Sequence, residues 1–244
     1  MSLHLQCFDS SAAAAQALAA VIATDLNAAL QRSMHFAKTA LPPLLLVSGG
    51  RSPLPLFSAL SQQPLAWANI AVSLVDERSV ASTHDDSNST LVRRHLFTGA
   101  AASAQWVALA PADSAASGAD PWSSALHAAD AANRNPALAA ASVIVLGIGN
   151  DGHTASLFAD APQWSQARTT ESRYLALQPA NAPHPRISLS LSALIAQGCC
   201  QMWAVGADKL ATIARCSQLP ADSCALSALI ADARMRLQVF YSPS

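Results

Sequence analysis

The chain has 244 residues, with 14 basic and 15 acidic side chains and a formal net charge of -1. This balance provides no electrostatic field that would attract nucleic acid or an anionic membrane, so neither is an expected partner. The five cysteines are odd in number and show neither a CxxC pair nor a His/Cys spacing suited to zinc, which predicts reduced thiols and a cytoplasmic location.

Strand and helix patterns alternate along the chain. Short apolar or alternating runs predict strands at 3–8, 44–47, 70–75, 105–109, 141–146, 186–191, 200–205 and 237–241. Helices are predicted from Asp9 or Ser10 towards Lys38, from Pro53, up to Leu96 after the polar loop 79–89, at 122–133 and at 207–216. The apolar start of the first helix lacks the basic flank of a signal peptide, and no segment has the roughly 18 uninterrupted apolar residues of a membrane span.

This alternation predicts a single α/β domain over residues 1–244, with a mostly parallel, Rossmann-like sheet flanked by helices on both faces. Polar loops follow three of the predicted strands, at 48–52, 76–78 and 147–153. We expect these loops to converge, because parallel strands place their carboxyl ends on one edge and ligands bind beyond that edge. The polar loop 111–121 has no predicted role.

Each of the first two loops contains donors or cations that could bind an anion. Ser48-Gly49-Gly50 offers backbone amides beside a helix start, where a phosphate could bind, although a glycine pair after a strand is also an ordinary tight turn. Asp76-Glu77-Arg78 puts two carboxylates beside a guanidinium. This group could be a solvated ion-pair cluster, a substrate clamp or a site for charge that develops in a reaction.

His153 is the candidate acid–base residue. It follows the glycine-rich turn 147–152, Asp151 lies two residues before it, and Thr154 is expected to begin a helix. A lone histidine is usually structural, but this setting suits positioned acid–base work. The same setting is absent around the other histidines, which are His4, His35, His84, His95, His127 and His184.

Several of these motifs resemble one family. The segment VIVLGIGNDGHTASLF at 143–158 is similar to the Asp-Gly-His-Thr-Ala-Ser-Leu-Phe signature of the 6-phosphogluconolactonases of the pentose phosphate pathway. SLVDERSV followed by DDSNSTLVRRHLF resembles their Asp-Glu-Arg strand end and Asp-Ser-Asn loop, and LLLVSGGRSPLPLF resembles their Ser-Gly-Gly loop. Weaker similarities are the proline-flanked Arg186 and the Gly-x-x-Lys start at Lys209. Arg51-Ser52 stands where the family usually has Ser-Thr. This difference keeps a hydroxyl but adds a positive charge.

The resemblance covers nearly the whole chain and implies hydrolysis of 6-phosphoglucono-1,5-lactone by water, without a metal or an organic cofactor. It implies that His153 is the general base, that Asp151 orients it, and that a glycine-loop amide or Arg78 stabilises the oxyanion. Arg186, Lys209 and the 48–52 loop are implied at the phosphate. The oligomeric state is not implied, and a monomer is compatible with the sequence. The implied substrate-binding residues are Ser48, Gly49, Gly50, Arg51, Ser52, Asp76, Glu77, Asn88, Gly147, Gly149, Arg186 and Lys209.

Two alternatives stay open at this point. A glucosamine-6-phosphate deaminase or isomerase also resembles the chain, but that family has a His-x-Ala-Phe-Asn-Glu-Pro run where this chain has HTASLF from His153, and a tyrosine at the position of Arg78. A non-catalytic sugar-phosphate sensor would use the anion-binding groups without the chemistry of His153. The chain carries no helix-turn-helix or basic segment that would favour a regulator.

Overall fold

The structure, a computed structural model, describes residues 3–36, 41–110 and 120–244. The strands of its main sheet are β1 (Leu3–Cys7), β2 (Leu44–Val47), β3 (Ala71–Leu74), β5 (Gln105–Trp106), β6 (Val143–Leu146), β9 (Cys199–Val205) and β10 (Arg236–Ser242). All pair in parallel, in the order β1-β10-β9-β6-β2-β3-β5. The central strands β2 and β6 consist of buried apolar residues, as expected when a parallel sheet is covered on both sides.

Helices flank this sheet. They are α1 (Ser11–Phe36), α2 (Leu54–Leu60), α3 (Asn88–Leu96), α4 (Pro121–Arg134), α5 (Trp164–Thr169), α6 (Leu191–Gln197), α7 (Ala207–Cys216) and α8 (Ala225–Ala231). The predicted α/β class, with a mostly parallel sheet flanked by helices, is therefore confirmed.

Helix α1 packs one face into the core. The amide of Ala13 donates a hydrogen bond to Oγ of Ser10, so Ser10 caps the helix as predicted. By length and composition alone, α1 would also qualify as a membrane-spanning helix. However, Leu18, Ile22 and Leu26, spaced four residues apart on one face, have no exposed surface. They join the hydrophobic core that contains the main sheet, and this arrangement is that of a core helix.

The strand order reverses direction between β2 and β6. From β2 the chain proceeds outward through β3 to β5, whereas from β6 it proceeds the other way through β9 to β10. The ends of the two strands are joined by the amide of Gly147, which donates to Oγ of Ser48 at 3.0 Å. Ligands of open α/β sheets bind in the crevice at such a switch point, so the topology places the 48–52 and 147–153 loops at that crevice.

A second, small sheet was not expected. It is antiparallel and has the order β4-β8-β7, formed by β4 (Asp76–Arg78), β7 (Tyr174–Leu177) and β8 (Arg186–Leu189). Two expectations are therefore wrong: 76–78 is a strand in its own right and not only the end of another, and 186–191 does not belong to the parallel sheet. A short apolar run does not reveal its pairing partner, because pairing depends on contacts distant in sequence.

Other differences are local. Helices α5, α6 and α8 and strand β7 were not predicted, and β5 is shorter than expected. Thr154 does not begin a helix, because the next residue, Ala155, has a left-handed φ of 50° that a right-handed helix cannot accommodate. Instead, Oγ1 of Thr154 donates to the carbonyl of Gly147. Residues 111–119 of the predicted loop, and the predicted extension of α1 to Lys38, lie outside the described residues.

Candidate active site

The loops at the switch point surround a cavity of about 380 Å³, within the size range of small-molecule sites. The lining includes all three loops that were expected to converge. Of the residues named from the sequence, those that line it are Ser48, Gly49, Ser52, Asp76, Arg78, Asn88, Gly147, Gly149, His153, Arg186 and Lys209.

His153 forms a close pair with Asp151. Nδ1 of His153 lies 2.6 Å from Oδ1 of Asp151, and the same oxygen accepts the amide hydrogen of His153 at 3.1 Å. Burial alone would raise the pKa of Asp151, but the hydrogen bonds and charge of His153 outweigh it and lower the pKa to about 2. At neutral pH the carboxylate is therefore ionised and can only accept a hydrogen bond. The proton of the neutral imidazole consequently lies on Nδ1, which leaves the lone pair on Nε2.

The imidazole is in close contact with the backbone of Gly149 and with a phenyl ring. A Cβ atom at Gly149 would lie 2.1 Å from Cε1 of His153 and 2.6 Å from Oδ1 of Asp151. Only a glycine at this position permits so close an approach. The ring of Phe158 stacks on His153 with centroids 4.0 Å apart. These contacts restrict the ring to one orientation.

Asp76 connects the glycine-rich turn to the small sheet. It is 6% exposed, and its Oδ2 accepts the hydroxyl hydrogen of Ser156 at 2.6 Å. The amide of Ser156 donates in turn to Oγ of Ser188 on β8. The Asp76 carbonyl accepts from Nδ2 of Asn88 at 2.9 Å. Asp76 is thus a buried hydrogen-bond acceptor on the cavity wall.

The two arginines of the site face each other across the small sheet. Arg78 on β4 and Arg186 on β8 are directly opposed in the antiparallel register, so their side chains leave the same face. Opposed like charges destabilise a sheet, and within the described ranges neither guanidinium forms a salt bridge with a carboxylate. This pair is therefore available to an anionic ligand.

Arg186 is the more enclosed of the two. It is 7% exposed, and its Nη2 donates to the carbonyl of Pro183 at 3.1 Å. Nε is buried and has no hydrogen-bond partner in the part of the chain that the structure describes. Burial lowers the pKa of Arg186, while the nearby Asp76 opposes this effect. A buried cation with an unsatisfied donor is costly unless a ligand completes it.

Lys209 approaches the cavity from the start of α7, where the sequence placed it. Its Nζ donates to Oδ1 of Asn150, and the carbonyl of Asn150 accepts from Nη2 of Arg215 at 2.6 Å. The lining thus contains three cations, Arg78, Arg186 and Lys209, and one carboxylate, Asp76. This excess of positive charge in the cavity lining favours an anionic ligand.

Four of the residues named from the sequence do not line the cavity. Gly50 is half-buried and Arg51 is exposed, and neither reaches the cavity. Asp151 lies behind His153. Glu77 is 3% exposed and accepts the amide hydrogens of Arg78, Asn88 and Ser89. Its carboxylate therefore secures the first turn of α3, which rules out the solvated ion-pair cluster.

Sequence reasoning did not single out other lining residues. Ser156 and Phe158 lie inside the quoted signature but carried no assigned role, and only the fold shows that they reach Asp76 and His153. Trp203 lines the cavity from β9, where its Nε1 donates to the carbonyl of Ser52 at 2.9 Å. An aromatic residue inside an apolar strand gives no local signal of such a position.

Known proteins resemble this chain in sequence and in fold. The model of the family described as glucosamine-6-phosphate isomerases/6-phosphogluconolactonase matches residues 9–236. A 6-phosphogluconolactonase of Pseudomonas aeruginosa is 40% identical over 213 residues, which span 86% of this chain and 83% of that protein.

The same relationship is visible in three dimensions. The crystal structure of a 6-phosphogluconolactonase from Shewanella baltica superposes with a TM-score of 0.85 at 32% identity, covering 98% of this chain and 97% of that one. A monomeric glucosamine-6-phosphate deaminase shares the fold alone, with a TM-score of 0.71 at 14% identity. From the family match and these identities we conclude that the chain belongs to the glucosamine-6-phosphate isomerase/6-phosphogluconolactonase family.

Proposed function

We propose that this chain hydrolyses 6-phosphoglucono-1,5-lactone to 6-phosphogluconate. The observation that carries the proposal is one cavity lined both by His153, whose Nδ1 is paired with Asp151, and by a group of cations without carboxylate partners among the described residues. The first is suited to activating water and the second to holding a phosphate. The relatives named above as 6-phosphogluconolactonases support the same assignment.

In the proposed reaction His153 is the general base. Nε2 of the neutral imidazole takes a proton from water as the water oxygen attacks the lactone carbonyl carbon. Asp151, ionised because its pKa is lowered to about 2, holds the ring through Nδ1 and stabilises the imidazolium that forms. When the tetrahedral intermediate breaks its bond to the ring oxygen, the imidazolium returns the proton to that oxygen. The ring opens and the base is regenerated.

We assign stabilisation of the oxyanion to Arg78. The sequence left the choice between this guanidinium and an amide of a glycine-rich loop. The amides of Gly147 and Gly149 already donate, to Oγ of Ser48 and to the carbonyl of His153, and the amide of Gly49 in the first loop, free among the described residues, is assigned to the phosphate. Arg78 uses Nη1 on the carbonyl of Asp86 and retains further donors, so it can bind charge that develops on the carbonyl oxygen.

The phosphate is assigned to Arg186, Lys209 and the first loop. Arg186 contributes the unsatisfied Nε, and Lys209 supplies a second charge from α7. The amides of Gly49 and Ser52 donate to no acceptor among the residues that the structure describes, and both residues line the cavity. Charge-assisted bonds of this kind contribute about 1.5–3 kcal/mol each, so phosphorylated substrates are favoured.

The cytoplasm is the proposed compartment. All five cysteines are free thiols, which suits a reducing environment. The thiol of Cys224 donates a hydrogen bond to Sγ of Cys216 at 3.5 Å, and the two cysteines form no disulfide.

The proposal is tested by following freshly prepared 6-phosphogluconolactone in the presence and absence of the purified protein, with the spontaneous rate subtracted. We expect acceleration by the protein and loss of most of it in His153→Ala, about 100-fold or more, because general base catalysis contributes about 10² to 10⁴. Arg186→Ala and Lys209→Ala should chiefly raise KM. Circular dichroism of each variant controls for folding.

Two results would contradict the assignment. Full activity in His153→Ala would reject the base, and equal kcat/KM for phosphorylated and unphosphorylated lactones would reject the phosphate site. A protein that binds the product analogue without accelerating hydrolysis would be a sensor. Release of ammonia from glucosamine 6-phosphate would identify a deaminase.

A further inference from the structure

A second group of titratable side chains lies beside the site, in the segments that precede α3 and β8. His84, Asp86 and His184 each offer one ligand atom, and these atoms all lie within 4.8 Å of one another. His184 is 98 residues from Asp86 in sequence. Neither histidine has a role predicted from the sequence, because their proximity arises only when β4 and β8 pair.

The geometry gathers two imidazole nitrogens around one carboxylate oxygen. Oδ2 of Asp86 lies 3.1 Å from Nε2 of His184 and 3.8 Å from Nδ1 of His84. The imidazole rings meet edge to face, with centroids 5.5 Å apart. The side chains are 29% to 52% exposed, so an ion from solvent can reach them.

The protonation state of His84 is compatible with a metal. Its Nδ1 accepts the amide hydrogen of Asp86 at 3.0 Å, so this nitrogen carries a lone pair and the ring proton lies on Nε2. Oδ2 of Asp86 lies within hydrogen-bond distance of Nε2 of His184. A neutral imidazole nitrogen and a carboxylate are the forms that bind metal ions. On binding, the ion replaces the amide as the partner of Nδ1.

The backbone at His184 is held in an unfavourable conformation. Its φ is 66°, which is uncommon and unfavourable for a residue other than glycine. Left-handed residues of this kind concentrate at ligand clamps and active sites. Here the conformation directs the imidazole to Asp86.

We propose that His84, Asp86 and His184 form a surface site for a divalent transition-metal ion, for which Zn²⁺ is the best-suited ion. Two imidazoles and one carboxylate are ligands that Zn²⁺ prefers, and water completes the tetrahedral shell. The ion takes no part in the hydrolysis. It is a cross-link between the segment 79–87 and the segment 182–186.

This cross-link adjoins the anion site. The carbonyl of Asp86 accepts from Nη1 of Arg78, and the carbonyl of Pro183, next to His184, accepts from Nη2 of Arg186. An ion that joins the two segments therefore reduces the motion of the groups that hold both guanidiniums. Slower amide hydrogen exchange in both segments is the expected physical consequence.

The test uses calorimetric titration of the chelator-treated full chain with Zn²⁺, without substrate, so its outcome is independent of the proposed function. All proteins carry Cys7→Ser, because the Cys7 thiol is exposed and could bind zinc. We expect one site whose affinity falls about tenfold or more in His84→Ala and in His184→Asn, since even outer-shell changes have effects of this size. Asparagine tolerates positive φ, so the second variant preserves the backbone. His95→Ala, an exposed histidine outside the group, is the matched control.

Two further measurements sharpen the result. Co²⁺ should give visible d–d bands in the parent protein and the control, and lose them in both variants. Hydrogen exchange should slow on Zn²⁺ addition in 79–87 and 182–186. The proposal is overturned if the parent and both cluster variants give the same isotherm, or if His153→Ala abolishes the binding, which would place the ion at the His153–Asp151 pair.

Discussion

Gly149 is the position where a single methyl group most directly tests the proposed base. The substitution Gly149→Ala adds a Cβ that would lie 2.1 Å from Cε1 and 2.2 Å from Nδ1 of His153. Ordinary van der Waals contact begins at 3.4 Å, so the imidazole must retreat by about 1.3 Å, the difference between the two distances. The ring of Phe158, stacked on the imidazole with centroids 4.0 Å apart, limits how far it can move.

A displacement of this size has a large expected effect on rate. A misplacement of about 1 Å of a catalytic group can cost about 100-fold, so we expect kcat to fall about 100-fold. KM should change less than kcat, because Arg186 and Lys209, the proposed phosphate ligands, are unchanged. The φ of this glycine is not positive, so backbone strain adds no separate loss.

The assay follows lactone hydrolysis in the single variants Gly149→Ala and His153→Ala and in the double variant, with thermal unfolding as the folding control. If alanine acts through the imidazole, it has little further effect once His153 is absent, which is the signature of coupling in a double-mutant cycle. Unchanged kcat in Gly149→Ala, or an equal loss in both backgrounds, would refute the reasoning.

Three further predictions concern stability. The pKa of Asp151 is lowered to about 2, so the stability that its ionised carboxylate provides is present above about pH 4 and is lost as the pH falls towards 2. The melting temperatures of the parent and Asp151→Asn should therefore converge over that interval, and a constant difference between them would contradict the pairing. Glu77→Ala leaves three amide donors without their acceptor, two at the start of α3 and that of Arg78 on β4, so urea unfolding should show a loss of about 3 kcal/mol or more. A loss below about 1 kcal/mol would return Glu77 to the list of candidate ligands. Leu18→Ala should lower the unfolding free energy by about 2.7–5 kcal/mol, because Leu18 is fully buried; a negligible change would contradict the core position of α1.

Local sequence patterns determined most of the main sheet. The apolar run at 44–47 and the runs around β6, β9 and β10 predicted strands within one or two residues of the observed bounds. They succeed because a buried parallel strand needs continuous apolar residues, and a helix start needs a cap such as Ser10. The same alternation of strands and helices predicted that the three polar loops would meet at one edge, as they do.

Patterns failed where pairing involves distant parts of the chain. The sequence predicts 76–78 as the end of the preceding strand and 186–189 as part of a strand of the parallel sheet. Instead, the two segments pair with each other in a separate antiparallel sheet. Their pairing depends on burial and hydrogen bonds contributed by residues about 110 positions apart, which no local window contains. The role of Glu77 was obscured for the same reason, since its partners belong to the start of α3.

The sequence by itself determined which functional groups are present: an imidazole after a glycine-rich turn, a carboxylate beside it, and cations at the ends of predicted strands and helices. The tertiary structure alone decided which of these groups share a cavity, that Arg78 and Arg186 face each other, and that His84 and His184 approach Asp86. The reason is that backbone conformation follows largely from neighbouring residues, whereas proximity between separate segments follows from how the strands pair and pack.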